Sequence, residues 1–365
     1  MKAIKNILAI SAVALTMSCE THYRMVTTLS RDGKAHRTVY AFGDTAFMAG
    51  NISNNPFLFH LSSDWEITHL DTVVKHDFFG RKSKLNVKIS KHANSIEQYS
   101  QEIQSDDDKL SFAAPEELLS KKFRWFYTDY SFKTTYKKLK YEVPVPIDNY
   151  LSREEQMLWT QGDMNNYKFL NAFEMNDYLN EIGDKFMEWY SRNCFEISLV
   201  CIKKLTTKYD LDIDRENIYK EIQRAKIEAF DINPEKVCTI LDLFYKTKYF
   251  SELNEINKKT LENEFETAIS VVNSIGNVIC YELVHCGEIT RTNAHIINSD
   301  TLIWKVDGIR LLFDNYILTA EYRIVNSWAF IFSGFILIIA VGSLCWRKFR
   351  NKISKPRKKI VSLQK

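Results

Sequence analysis

The sequence predicts an α+β protein with an antiparallel sheet built from its N- and C-terminal segments, a long helical insertion, and one C-terminal transmembrane helix. Apolar residues alternate at period two near both ends of the body, as in half-buried strands. Amphipathic stripes at helical spacing fill the middle, and an uncharged run follows near the C-terminus. These patterns divide the chain into a signal peptide, a β-rich part, a helical insertion, C-terminal strands, a transmembrane helix and a basic tail, at 1–18, 19–148, 149–283, 284–326, 327–346 and 347–365.

The β-rich part begins with residues that alternate between apolar and polar from Tyr23 to Leu29. Asp32-Gly33 then forms a strong hairpin signal, because this dipeptide accepts the positive φ angles of tight turns. Aromatic residues between Phe123 and Tyr136 predict a long strand or a pair of strands.

The helical insertion carries two clear start signals. Ser152 and Glu155 have the spacing of a capping box, in which each side chain satisfies a free amide of the first turn. Asn233-Pro234 places a capping side chain before a proline that needs no amide partner. We interpret the apolar stripes of this region as core packing, and we expect the insertion to end at 283.

The C-terminal strands are predicted from alternation over residues 302–306 and 316–322, with a turn at Asp307-Gly308 between them. The last strand ends just before the apolar run, and the first begins just after Cys19. Both ends of the β part would therefore lie at one membrane surface. We expect the first and last strands to share one sheet, from which the insertion projects as part of a single unit.

The predicted transmembrane helix is an uncharged run of twenty residues from Ser327 to Trp346. At a rise of ~1.5 Å per residue it covers ~30 Å, the thickness of the hydrocarbon layer. Trp328 and Trp346 lie at its ends, where tryptophan favours the headgroup level. Nine cations and no acid follow, which predicts a cytoplasmic tail; they include Arg347, Lys348, Arg350, Arg357, Lys358 and Lys359.

The first residues have the layout of a bacterial secretory signal. Lys2 and Lys5 precede an apolar stretch that is short for a spanning helix, and Cys19 follows at the expected cleavage boundary. A cysteine there predicts a lipid-anchored envelope protein with an extracytoplasmic body. The lipidation motif is imperfect, because Leu15 lies four residues before the cysteine rather than three. The alternatives are an ordinary cleaved signal and an uncleaved anchor.

The net charge of +3 hides an uneven distribution. Two cations of the signal and nine of the tail account for eleven of the 49 basic residues, which leaves 38 against 46 acidic residues and a body of net charge −8. An acidic body argues against a nucleic-acid partner. We expect membrane lipid, and envelope proteins, as the partners.

Motifs that carry chemistry are absent from the sequence: it has no Walker, nucleophile-elbow, zinc-protease or dinucleotide-binding pattern. Cys280, His285, Cys286 and His295 form one metal-like group, but their spacing matches no standard zinc pattern. We interpret them as local packing and expect no metal and no cofactor.

Short motifs at the two ends of the body resemble the LppM-type group of envelope lipoproteins. They comprise Tyr23-x-Met25-Val26, the Asp32-Gly33 turn, Gly287-Glu288-Ile289-x-x-Thr292-Asn293-Ala294, and Leu302-x-Trp304. The match covers about 70 residues, Cys286 stands where proline is usual, and the helical block is extra. The resemblance implies an α+β domain, with lipid or glycolipid association suggested for some members, and it brings no catalytic residue.

Three hypotheses for function follow from the sequence. The first is a non-enzymatic envelope scaffold or partner-binding module. The second is a lipid- or glycolipid-binding module whose candidate apolar pocket contains Trp125, Tyr127 and Trp304. The third is a hydrolase of envelope polymers, which needs a pair of acidic groups that the sequence does not reveal.

Overall fold

The computed structural model describes residues 22–51, 54–57, 59, 61–78, 81–102, 115–206, 214–273 and 276–353. The predicted signal peptide, Cys19, and Arg357, Lys358 and Lys359 of the basic tail lie outside this range. Within it, the predicted α+β class is confirmed, including the sheet strands from both ends of the chain and the C-terminal apolar helix.

The strands of the described part form two sheets. Their bounds are β1 His22–Leu29, β2 Ala35–Ala41, β3 Glu66–Phe78, β4 Arg81–Ala93, β5 Glu116–Phe123, β6 Tyr127–Tyr136, β7 Val278–Val284, β8 Glu288–Thr292, β9 Ile296–Asn298, β10 Thr301–Asp307 and β11 Tyr316–Val325. The larger sheet has the order β3-β4-β2-β1-β7-β10-β9, and the smaller has the order β5-β6-β11-β8. Each sheet therefore combines strands that precede the helical insertion with strands that follow it.

The helices fall into an inserted block and flanking elements. Their bounds are α1 Thr45–Met48, α2 Glu97–Glu102, α3 Arg153–Gln161, α4 Ala172–Leu205, α5 Arg215–Arg224, α6 Pro234–Tyr245, α7 Tyr249–Asn273, α8 Gly308–Phe313 and α9 Ser327–Ile353. Helices α3 to α7 come between β6 and β7, so they form one continuous insertion between two strands of the sheets.

The predicted single antiparallel sheet differs from the structure in two respects. β1 runs parallel to β7, with Met25 opposite Tyr281, while the other pairs of the larger sheet are antiparallel. Parallel neighbours need a long crossover connection, and the chain from β1 to β7 includes the whole helical block. The larger sheet is consequently mixed. The β segments form two sheets, and the first strand β1 lies in the larger one while the last strand β11 lies in the smaller one, so these two strands do not share the single sheet that was expected.

The expected end of the insertion at 283 also differs. The helical block ends at Asn273, and residues 278–284 form the strand β7. Six of the seven side chains of β7 are buried, so the strand lacks the alternation of a half-exposed strand. A short, mainly apolar segment without alternation is difficult to distinguish from a continuing helix by periodicity alone.

Asp307-Gly308 forms a helix start instead of the expected turn. The Asp307 carboxylate accepts a hydrogen bond from the backbone N–H of Arg310 at 3.1 Å and so caps α8. By contrast, Asp32-Gly33 forms the predicted hairpin turn, where Gly33 has a φ of 97°. The predicted caps at Ser152 and Asn233 are also confirmed.

The insertion shares its hydrophobic core with the sheets. Phe313 follows β10 and packs on Trp159 and Phe186 of the inserted helices, with ring centroids 6.2 and 6.3 Å apart. One contiguous cluster of buried apolar residues extends from Tyr23 in β1 through α4 to Leu318 in β11. The helical block is therefore held by continuous packing rather than by a flexible linker.

Candidate functional site

The junction between β11 and the apolar helix α9 is a single residue, Asn326. Its backbone N–H donates to the carbonyl of Phe126 at 2.9 Å. Its side-chain amide donates to the carbonyls of Arg124 at 2.9 Å and Trp125 at 3.3 Å, and its side-chain oxygen accepts from the Thr128 hydroxyl at 3.0 Å. These four bonds join the start of α9 to the hairpin between β5 and β6.

The β5–β6 hairpin ends in a two-residue turn of Trp125 and Phe126. Arg124 and Tyr127 close the turn by exchanging backbone hydrogen bonds of 2.7 and 3.0 Å. Together with the bonds from Asn326, every backbone carbonyl from Arg124 to Tyr127 therefore has a hydrogen-bond donor.

Seven aromatic side chains form what we call the aromatic cluster: Phe123, Trp125, Phe126 and Tyr127 of the hairpin, and Trp328, Phe330 and Phe332 of α9. Trp125 packs on Trp328 and Phe332 with ring centroids 5.3 and 6.0 Å apart. Phe126 packs on Phe330 at 4.6 Å, and Phe123 stacks on Trp328 at 6.3 Å. The indole N–H of Trp125 also donates to the hydroxyl of Ser333 at 2.8 Å.

The aromatic cluster is half-exposed despite these contacts. The exposed fraction of its members runs from 37% for Tyr127 to 57% for Phe123. A contiguous apolar surface of this kind is uncommon on a soluble monomer and marks a site of interaction with protein or membrane.

Basic side chains lie next to the aromatic cluster, on β5, at the hairpin turn and on β11. Lys121 and Lys122 are exposed on β5. Arg124 and Arg323 both pair with Asp129, each through a 2.7 Å contact of the guanidinium Nε. Hydrogen bonds from Arg323 and then Arg124 hold the pKa of Asp129 below its usual value, so the carboxylate stays charged and offsets one of the cations.

The predicted apolar pocket is not formed as expected. Trp304 is fully buried in the core, where its ring packs near Phe132 and Tyr281 and its indole N–H donates to the side-chain oxygen of Asn293 at 2.9 Å. Trp125 and Tyr127 lie instead at the hairpin tip beside α9. The alternation of β10 turns Trp304 inward, whereas the hairpin turn projects its aromatics out of the sheet.

One helix of the described part is long and apolar enough to cross a membrane, by length and composition. It covers Ser327–Arg350 with a mean hydropathy of 2.3, and 6% of its most apolar window is buried inside the protein. Trp328 and Trp346 are exposed on it, and Arg347, Lys348 and Arg350 continue the same helix.

The metal-like residues of the sequence are not brought together. The His285 ring stacks on Tyr322, while His295 accepts a hydrogen bond from the backbone N–H of Lys305 at 3.1 Å. The Cys286 thiol donates to the carbonyl of Leu29 at 3.3 Å.

Cys280 lies instead beside His76 and Glu282, with their three ligand atoms within 4.8 Å of one another. Arg24 binds both oxygens of the Glu282 carboxylate, at 2.7 and 2.9 Å. Burial, reinforced by Glu282, raises the pKa of the Cys280 thiol to about 12. Metal binding requires a thiolate and a free carboxylate, so this cluster could hold a cation only after Arg24 withdrew.

A buried ion pair joins the two sheets. Arg37 of β2 and Glu117 of β5 have no exposed side-chain surface, and a guanidinium nitrogen lies 2.7 Å from a carboxylate oxygen. The hydroxyl of Tyr281 donates to the same oxygen at 3.0 Å. Because solvent does not reach this pair, we assign it a structural role.

A second exposed apolar surface lies on the insertion, where the loop after α3 meets α4. Phe169 and Phe173 have exposed fractions of 78% and 82%, among the highest for aromatic side chains in the described residues. Leu170, Met175 and Leu179 line a shallow apolar groove beside them.

Comparisons with known proteins give little beyond this geometry. The chain matches no protein-family model and no curated protein sequence. Among solved structures it is similar to the NMR structure of the folded domain of LppM from Mycobacterium tuberculosis, with 7% identity and a TM-score of 0.25 over 84% of this chain and 91% of that chain. LppM also typifies the group that the end motifs resemble, but a TM-score this low carries no argument about fold or function.

Proposed function

We propose that this protein is a membrane-anchored envelope scaffold that holds a partner-binding body in a fixed orientation above the bilayer. The junction at Asn326 carries the proposal, because it joins α9 to β11 without a linker and ties both to the β5–β6 hairpin. A body mounted in this way transmits the orientation of the membrane helix to its far end.

Charge supports the orientation that we propose. The cations from Arg347 onward follow the apolar run and favour a cytoplasmic tail under the positive-inside rule. The acidic body then lies on the extracytoplasmic side, with the signal segment and Cys19 providing export and a second, lipid anchor.

The exposed phenylalanines of the insertion support a partner-binding role. Phe169 and Phe173 would each lose a large apolar surface from water on contact with a partner, and exposed aromatics are frequent binding anchors. Their place on the helical insertion separates them from the strand that leads into α9.

Photo-crosslinking in native membranes tests this function. A photoreactive phenylalanine analogue replaces Phe169 or Phe173 in turn, and exposed Lys259 on α7 serves as the matched control position. We expect a discrete crosslinked protein at the two phenylalanine positions and none at Lys259. Equal labelling at all three positions would contradict a specific partner surface.

A lipid-binding module at the membrane surface is the second candidate, and the aromatic cluster favours it. Because those aromatics are exposed beside α9 rather than enclosed, they suit contact with the bilayer better than capture of one ligand. Native mass spectrometry of the full chain distinguishes contact with the bilayer from capture of one lipid. A captured lipid would remain bound in stoichiometric amount, whereas contact with the bilayer would leave no such lipid.

A further inference from the structure

We infer that the tip of the β5–β6 hairpin, residues 123–127, inserts into the bilayer interface beside α9 and forms a second, non-helical membrane contact. The inference rests on the proposed function in one respect, which is that α9 spans the membrane. Four observations support it: the depth of the tip along α9, the hydrogen-bonded carbonyl groups of its turn, its exposed aromatics, and the cations next to it on β5.

The depth follows from the contacts of Trp125 with α9. Trp328 and Trp346 are eighteen residues apart, or ~27 Å along a helix, close to the ~30 Å hydrocarbon thickness. Trp125 contacts Trp328 itself, and it also contacts Phe332 and Ser333, four and five residues further along α9. If Trp328 lies at the headgroup level, the contacts of Trp125 extend from that level to ~6–8 Å deeper, which reaches the ~5–10 Å at which interfacial segments bury apolar side chains.

The carbonyl groups of the tip are suited to an apolar surrounding. Unsatisfied peptide groups are costly in hydrocarbon, which excludes ordinary exposed loops from it. Each carbonyl from Arg124 to Tyr127 accepts a hydrogen bond within the protein, and Asn326 supplies three of the donors.

The side chains of the tip are also of the types that favour the membrane–water interface. Tryptophan and tyrosine are enriched where one end of the ring meets lipid and the other meets water. Phe126 offers the apolar wedge, and Trp125 satisfies its N–H on Ser333. Burial in lipid would remove the half-exposed aromatic surface from water without a protein partner.

Exposed lysines next to the tip would attract anionic lipid headgroups. Lys122 is the penultimate residue of β5 and precedes the turn residue Trp125 by three positions, so it lies on the headgroup side of a tip that enters the acyl region. Lys121 and Lys122 are exposed. The expected partner is therefore a bilayer that contains anionic phospholipid.

Site-directed spin labelling of the full chain tests the insertion. Serine replaces Cys19, Cys286 and Cys345, the described cysteines that remain are buried, and single cysteines are introduced as Phe126→Cys or Phe123→Cys. The protein is reconstituted into vesicles of phosphatidylcholine and phosphatidylglycerol. Relative accessibility to oxygen and to a water-soluble nickel chelate reports the depth of each label.

Two control positions separate the possible failures. Leu118→Cys places a label on the same strand at another exposed apolar residue, ~17 Å before Phe123, and Ile338→Cys places one in the middle of α9. We expect the ratio of oxygen to chelate accessibility at 123 and 126 to exceed that at 118 several-fold. A low ratio at 123 and 126 with a high ratio at 338 would overturn the insertion alone. A low ratio at 338 would overturn the membrane-spanning role of α9 and the insertion with it.

Discussion

At the scale of single residues, the buried pair of Arg37 and Glu117 is the most consequential feature that sequence patterns did not indicate. Burial alone would lower the pKa of Arg37, but the charge of Glu117, its hydrogen bond to Arg37, and the tyrosines Tyr281 and Tyr136 together leave that pKa above its usual value. Arg37 therefore stays cationic, with Thr27 and Tyr281 as further partners and the Tyr99 ring 4.3 Å from its guanidinium carbon.

We expect Glu117→Gln to lower the free energy of unfolding by about 3–5 kcal/mol, because it leaves the Arg37 charge buried without a counter-ion. Urea titration of the detergent-solubilised full chain, followed by circular dichroism, measures the loss. Glu116→Gln is the matched control, since Glu116 pairs with Lys137 at the surface and such pairs contribute less than about 1 kcal/mol. Equal losses for the two variants would refute the structural role of the buried pair.

At the scale of elements, the packing of β8 on β11 explains a glycine that the end motif contains. A Cβ at Gly287 would lie 2.7 Å from the backbone oxygen of Arg323 and 2.9 Å from the Tyr322 ring. The register of β8 shifts between Glu321 and Tyr322 in the same place. Gly287 thus permits the close approach of two strands in the smaller sheet.

Gly287→Ala is expected to destabilise the protein by about 1–3 kcal/mol, because the backbone of β11 cannot yield without disturbing its pairing. Gly183→Ala is the control, as its Cβ meets open space within α4. There the substitution should stabilise by about 0.5–1 kcal/mol through helix propensity. Thermal unfolding of both variants reports the sign, and stabilisation by Gly287→Ala would contradict the described approach of the strands.

At the scale of the whole molecule, one side chain couples the body to the apolar helix. Asn326 ends the last strand, begins α9 and holds the hairpin, while Asn315 before β11 accepts a hydrogen bond from the backbone N–H of Lys138 at 2.8 Å. The two asparagines lie at opposite ends of β11 and make comparable bonds to backbone groups. Only Asn326 connects three elements at the proposed membrane surface.

Asn326→Ala should release the hairpin, because three side-chain hydrogen bonds are lost at ~0.5–1.5 kcal/mol each. Hydrogen exchange with mass spectrometry on reconstituted protein should show about tenfold or faster exchange around residues 124–127, with β1 and β7 unchanged. Asn315→Ala should leave the exchange of the hairpin unaltered. Unchanged exchange around 124–127 in the Asn326→Ala protein would show that the hairpin is not held through this residue.

Much of this architecture could be predicted from local patterns. The α+β class, the turn at Asp32-Gly33, the helix starts at Ser152 and Asn233, and the apolar helix from Ser327 all depend on residues close together in the chain. Helix caps and tight turns depend on sterics and hydrogen bonds between residues close in sequence, and the length of an apolar run can be counted. These features can therefore be predicted from the sequence alone.

Other features depend on residues that are distant in the sequence, and only the tertiary structure revealed them. The parallel pairing of β1 with β7, the buried charge of Arg37 and the inward turn of Trp304 each require knowledge of which strand lies opposite. The density of aromatics near Trp125 was visible in the sequence, but their contact with α9 was not. Burial and strand register depend on the whole fold, because the pairing of two strands is favoured by the apolar surface that both of them bury.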